Sequence, residues 1–254
     1  MTRARDLADS ADKDITGTLT LDGLTVAGNV SVDSGTVKLD GNYPDGSNNV
    51  ALGDTALDSL DGSSPGGSNT AIGSGALTAN TTASNNTAVG YQAAFSGTTA
   101  DNVVAVGRQA LYSATTGGQN VAVGSTAMYA TTGDSNVSLG TSTLRFNTSG
   151  SNNTAIGHQS LYSNSTASNN TAVGYKAAYS NTTGTRNTVL GKNTYYTATT
   201  GNDNVAIGEG AMYYNTTGSF NVAVGRSALV ENTTATYNTG VGYQALNLTT
   251  TGQY

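Results

Sequence analysis

Hydrophobic and polar positions along the chain recur with a long period. The pattern N-x-A-h-G and its variants, with h aliphatic, ends at Gly53, Gly73, Gly90, Gly107, Gly124, Gly140, Gly157, Gly174, Gly191, Gly208, Gly225 and Gly242. The spacings are 20, then 17, 17, 17 and 16, then six more of 17. Before each glycine stands an unbroken aliphatic column, Leu52 and Ile72 through Val224 and Val241, and two residues earlier a column of Val or Thr. Such period-2 alternation of β-branched residues predicts a short strand with one face buried. These two columns are the expected inward face. The small column between them (Ala71, Ala88, Ala105, Ala122, Ala155, Ala172) is then flat enough for close approach of another chain.

Four residues after each glycine a second apolar column begins: Leu57, Leu77, Ala94, Leu111, Met128, Leu144, Leu161, Ala178, Tyr195, Met212, Leu229 and Leu246. Each unit therefore reads as a strand, a glycine corner, a second strand and a loop such as Thr115-Thr116-Gly117. Glycine suits the corner because a sharp change of direction often needs positive φ, which penalises a residue with Cβ. A unit this short cannot bury a face alone, whereas stacked units can. The prediction is an all-β chain, a parallel β-solenoid of about twelve 17-residue coils over residues 47–254, that needs association with other copies for stability.

Two further columns follow from the stacking. The asparagines that open the motif, Asn69, Asn86, Asn120, Asn136, Asn153, Asn170, Asn187, Asn204, Asn221 and Asn238, should form a structural ladder in which each amide bonds the amides above and below. Val103 stands in this column, so its coil should lack one rung. Five residues after the glycine stand Phe95, Tyr112, Tyr129, Tyr162, Tyr179, Tyr196 and Tyr213. Such an aromatic ladder can stack on sugar rings or aromatic partners, or it can pack between chains or against loops. Paired threonines such as Thr216-Thr217 are adjacent, so on a strand they would face opposite sides and make no flat hydroxyl array.

Composition narrows the chemistry. Only 10% of residues are charged, against roughly 25% in ordinary soluble domains. Without cysteine there is no disulfide or thiolate site, and a single histidine, His158, leaves no basis for His-rich metal sites or repeated acid/base machinery. Neither a cofactor nor catalysis is expected. Residues 1–61 hold eleven acidic and four basic residues, a net −7, and the remainder holds five and six, a net +1. No basic patch invites nucleic acid, and no apolar run approaches the ~20 residues of a membrane helix.

N-T-A-V-G at Asn86–Gly90 and N-V-A-I-G at Asn204–Gly208, each followed by x-x-A-L or a variant, resemble the head repeats of trimeric autotransporter adhesins, the YadA-like head. The resemblance covers about residues 47–254 and implies a left-handed parallel β-roll that assembles as a homotrimer and binds surfaces. The start of the chain departs from that family. Residues 1–14 have no apolar signal core and read as a helical or extended attachment segment. Residues 15–46 carry closely spaced strands at Thr18–Leu21, Leu24–Val26, Val30–Val32 and Val37–Leu39, joined by connections short enough to imply an intertwined β region. This order is similar to that of bacteriophage tail fibres, in which YadA-like repeats occur. That likeness implies a virion protein assembled in the host cytoplasm. The N-terminal segment would hold virion tail proteins, and the shaft would meet a host-surface glycan or protein, or another fibre protein at the C-terminal end. The alternative is the head of a bacterial adhesin at the cell surface.

Overall fold

The structure, a computed structural model, describes residues 48–60 and 66–250. The expected segments 1–14 and 15–46 lie outside those residues. No helix occurs among the described residues, and twelve three-residue strands run from β1 (Val50–Leu52) to β12 (Thr239–Val241). All twelve lie in one sheet in chain order, each parallel to the next. Chain order with parallel pairing means that every strand is followed by a full return: eleven turns of a β-solenoid, rising roughly 53 Å at ~4.8 Å per strand.

Register is constant. Thr87, Ala88 and Val89 pair with Val104, Ala105 and Val106, and equivalent columns pair along the stack. The 16-residue coil holds this register, Val121 opposite Val137, because its missing residue comes from the loop, where Thr131-Thr132-Gly133 replaces Ala114-Thr115-Thr116-Gly117.

Two expectations are corrected. The first is the second strand, which is a six-residue turn instead. Residues two and four after the glycine take positive φ, as at Gln109 (54°) and Leu111 (52°), so handedness alternates along the segment and no β-strand can form. Coil-to-coil hydrogen bonding persists all the same: the N–H of Leu111 donates to the Ala127 carbonyl at 3.0 Å, and that of Ser113 to the Tyr129 carbonyl at 2.8 Å. Each coil is thus bound to its neighbours by a strand ladder on one side and a turn ladder on the other.

The second correction reverses the strand. Ala71, Ala88, Ala105, Ala122, Ala155 and Ala172 are fully buried in the coil, and the flanking aliphatic columns face outward. Leu139 and Leu190 are each 47% exposed. Width decides this. The middle of the strand packs directly against the second apolar column: a Cβ on Gly240 in β12 would meet Leu229 Cγ at 3.2 Å. A 17-residue coil has room there for one methyl and one leucine, so the larger strand residues are turned outward. The core consists of that alanine column, the small residues three after each glycine, and the second column from Leu57 to Leu229. In the register that sets Gly240 beside Leu229, the larger Val189 stands beside the smaller Ala178.

Candidate assembly and ligand faces

The corner glycines carry the positive φ expected of them, from 114° at Gly157 to 140° at Gly174. A second constraint acts too. A Cβ on Gly157 would sit 2.6 Å from the Gly174 carbonyl oxygen, because successive corners stack backbone on backbone.

The asparagine ladder forms, with a different main bond from the one expected. Each Oδ1 accepts the backbone N–H one coil on, as Asn153 does from Asn170 and Asn204 from Asn221, both at 3.0 Å. Along most of the ladder Nδ2 donates to the loop carbonyl of the next coil, as Asn187 does to Gly201 and Asn221 to Ala235, both at 2.9 Å. Amide–amide contacts are longer, 3.1–3.2 Å, and occur only between some rungs, such as Asn136 with Asn153 and Asn170 with Asn187. The reason is that one amide must cap both backbone and loop, and the loop carbonyl takes the better-aligned N–H. Asn69, Asn120 and Asn238 follow the same pattern through their own backbone or side-chain bonds. At the irregular coil the Val103 N–H still reaches Asn86 Oδ1 at 2.8 Å, but the buried Asn86 Nδ2 has no partner and Val103 offers Asn120 no side-chain acceptor.

A second asparagine column is also buried. Asn80, Asn147, Asn164, Asn181, Asn215 and Asn232, seven residues after their glycines, have their side chains inside the coil. Asn164 Nδ2 donates to Asn147 Oδ1 at 2.9 Å and to the Ala167 carbonyl at 3.0 Å. The 17-residue spacing of Asn147, Asn164 and Asn181 displays this column in the sequence. Ala198 interrupts it and leaves Asn181 Oδ1 buried without a partner. In the same coil Tyr195 replaces the usual leucine, and its hydroxyl fills the vacated space, bonded to Asn204 Nδ2 at 2.7 Å. Burial pushes the Tyr195 phenol well above its ordinary 10.0, although bonds from Asn204 and Asn215 pull it down.

Outside the coil, three longitudinal strips stand out. The first comprises the two outward columns of the sheet face, one wholly aliphatic and one mixed Val and Thr. The second is the aromatic column, half-buried along its length. Phe95, Tyr112 and Tyr129 stack at 5.0–5.2 Å, and Tyr162, Tyr179, Tyr196 and Tyr213 form a second run at the same spacing. Arg145 takes the intervening position, its guanidinium 5.6 Å from the Tyr129 centroid, and Phe146 meets Tyr162 edge-on. The third strip is the threonine loop. Thr216 and Thr217 lie in a bend outside any strand, so strand alternation does not apply to them; one is half-buried and the other exposed. The inner hydroxyls are spoken for, as Thr199 Oγ1 donates to the Thr216 carbonyl at 3.1 Å and Thr216 Oγ1 to the Thr233 carbonyl at 2.9 Å.

Charges pair along the axis. Arg186 donates to both carboxylate oxygens of Asp203, each at 2.7 Å, and this hydrogen bond holds the Asp203 carboxyl below its usual value. Glu209 lies between Lys192 at 3.6 Å and Arg226 at 3.7 Å. His158 is exposed and stacks on Tyr175 at 5.6 Å. No cluster of three or more His, Cys, Asp or Glu suited to a metal ion occurs among the described residues. No protein family, curated protein or solved structure matches the chain.

Proposed function

We propose that the protein is a non-enzymatic fibre protein of a bacteriophage virion, a homotrimer whose solenoid projects as a shaft for host-surface attachment or spacing. The observation that carries this reading is the outward aliphatic face. Leu52, Val137, Leu139, Leu190 and Val241 are 39–68% exposed in the single chain, aligned along one side of the stack. A continuous apolar strip of this kind marks an interaction surface. Running parallel to the axis and repeating in every coil, it suits copies lying side by side in closed cyclic symmetry. The resemblance of N-T-A-V-G and N-V-A-I-G to YadA-like head repeats sets the number of copies at three and the coil hand as left. The likeness of residues 1–46 to tail-fibre attachment regions supports a virion location, with tail proteins as partners and assembly in the host cytoplasm.

Light scattering on the purified full chain should give three times the 25.5 kDa chain mass. Leu139→Asp with Leu190→Asp should dissociate that species, since each buried carboxylate would lie unpaired in the interface. A folded monomer at micromolar concentration overturns the assembly. Detection of the protein in purified virions by mass spectrometry tests the location. Detection in a bacterial outer-surface fraction instead would favour the adhesin head.

A further inference from the structure

The aromatic column ends in a pocket. Tyr213 stacks on Tyr196 at 5.0 Å and 13°, but the next coil puts Val230 in the column, so the stack stops there. Two residues after the glycine, the coils usually carry a side chain that fills the groove beside the rings. Gln109 Nε2, for instance, donates to Gln92 Oε1 at 3.0 Å. Gly210 occupies that position here, and a Cβ built on it would meet only Ser227 Oγ, at 3.8 Å. Gly75, at the equivalent position, is by contrast already crowded by Gln92 and Phe95, at 3.2 and 3.3 Å. The result is an open cavity of about 270 Å³ whose lining includes Tyr213, Tyr214, Glu209 and Arg226. Tyr214 adds a second ring, edge-on to Tyr213 at 4.7 Å and 69°, where most coils have Ser, Ala or Thr.

We infer that this cavity is a subsite for one neutral hexopyranose ring of a surface glycan. Its volume lies just below the roughly 300–1,000 Å³ of sites for drug-sized ligands, which suits a single ring. A pyranose offers an apolar C–H face and a rim of hydroxyls. The tyrosines supply an apolar surface with polar tips, and Glu209 and Arg226 supply one acceptor and one donor array. Glu209 Oε1 faces Lys192 at 3.6 Å and Oε2 faces Arg226 at 3.7 Å, both longer than a hydrogen bond, so carboxylate and guanidinium can still bond vicinal hydroxyls. One carboxylate and one guanidinium leave the cavity lining without net charge, which suits a neutral ring.

Gly210→Gln provides a test that leaves the fold alone, because Gln92, Gln109, Gln159 and Gln244 occupy this position at φ 53–57°, close to the 66° of Gly210. Saturation-transfer NMR on the full chain would use the methyl glycosides of glucose, mannose, galactose and N-acetylglucosamine as probes. At least one should receive saturation. Gly210→Gln and Tyr213→Ser should weaken its binding roughly tenfold or more, the scale on which a pocket rejects a misfitting group. Arg108→Ser, an exposed position outside the aromatic column and the cavity, should leave binding unchanged. Transfer to none of the four, or transfer undiminished by Gly210→Gln, overturns the subsite, as does equal loss with Arg108→Ser. The inference names the ligand class within the attachment reading above, and the two fail separately. A trimer that binds none of the glycosides removes the subsite alone, and a monomer that binds one removes the assembly and keeps the subsite.

Discussion

Single residues settle where this solenoid is tight and where it is open. Gly157→Ala meets two penalties at once, a positive φ and a collision with the following corner, whereas at Gly242 nothing lies within 4 Å and only the φ penalty applies. Gly157→Ala should therefore lower the thermal midpoint clearly more than Gly242→Ala, and the difference measures the backbone stacking. Tyr195 and Ala198 form a compensating pair. Ala198→Asn alone should destabilise by about 1–3 kcal/mol through overpacking against the phenol. Combined with Tyr195→Leu it should recover, because the new amide can donate to the orphaned Asn181 Oδ1; chemical denaturation of the two singles and the double gives the coupling. The Tyr195 pKa lies above its unfolded value, so the stability it supports is complete below about pH 10 and lost as pH climbs further. Tyr195→Phe should flatten that alkaline decline in denaturant midpoint. The glycine corners were legible in the sequence because a single residue type repeats at one spacing. The Tyr195–Ala198 exchange was not, because it matters only when two columns are known to meet inside the coil.

At the scale of the coil, polar side chains do the work that a longer sheet would give to backbone. Asparagine Oδ1 atoms cap N–H groups, Nδ2 atoms tie loops to strands, and Ser, Asp or Asn two residues before the motif asparagine caps the preceding coil, as Asp134 does for the Gly118 N–H at 2.9 Å. Each such bond is buried or repeated, so a missing one counts. Val103→Asn restores an acceptor for the Asn120 coil and should raise stability by about 0.5–1.5 kcal/mol, read from the denaturant midpoint. The strand itself shows why sequence pattern alone mistook the inside for the outside. Alternation fixes two faces but not which one is buried, and the larger residues look like core until the coil width is known. The repeat length held the decisive fact, that a 17-residue coil closes around alanine and leucine. The second strand was illegible for a different reason: positive φ at Gln, Leu and Met has no signature in residue type, since none of these is a customary left-handed residue.

Among the described residues, contacts between strands join only successive ones, from β1 with β2 to β11 with β12. The charges of the described coils follow the same axis, Arg186 with Asp203 and Glu209 between Lys192 and Arg226. Being exposed, these pairs add little to stability and are screened by salt. The aliphatic strip repeats with every coil and the aromatic strip recurs in two runs, Phe95 to Tyr129 and Tyr162 to Tyr213, so any surface the shaft meets encounters one motif many times. Recurrence of columns was fully legible in the sequence. The pocket at Gly210 was not, because it arises from an absent side chain between neighbours that the linear order keeps 17 residues apart.

Constant register makes length an independent variable. No residue in one coil recognises a strand two coils away, so the stack behaves as a ruler graduated in units of one strand spacing. Removing residues 158–174 joins Gly157 to Tyr175, the same position in the next repeat, and keeps every column in phase. The shortened protein should fold, with its maximum dimension by X-ray scattering reduced by about 4.8 Å. Reach can thus change by whole coils, through duplication or loss of one repeat, while cross-section, assembly face and ligand chemistry stay as they are.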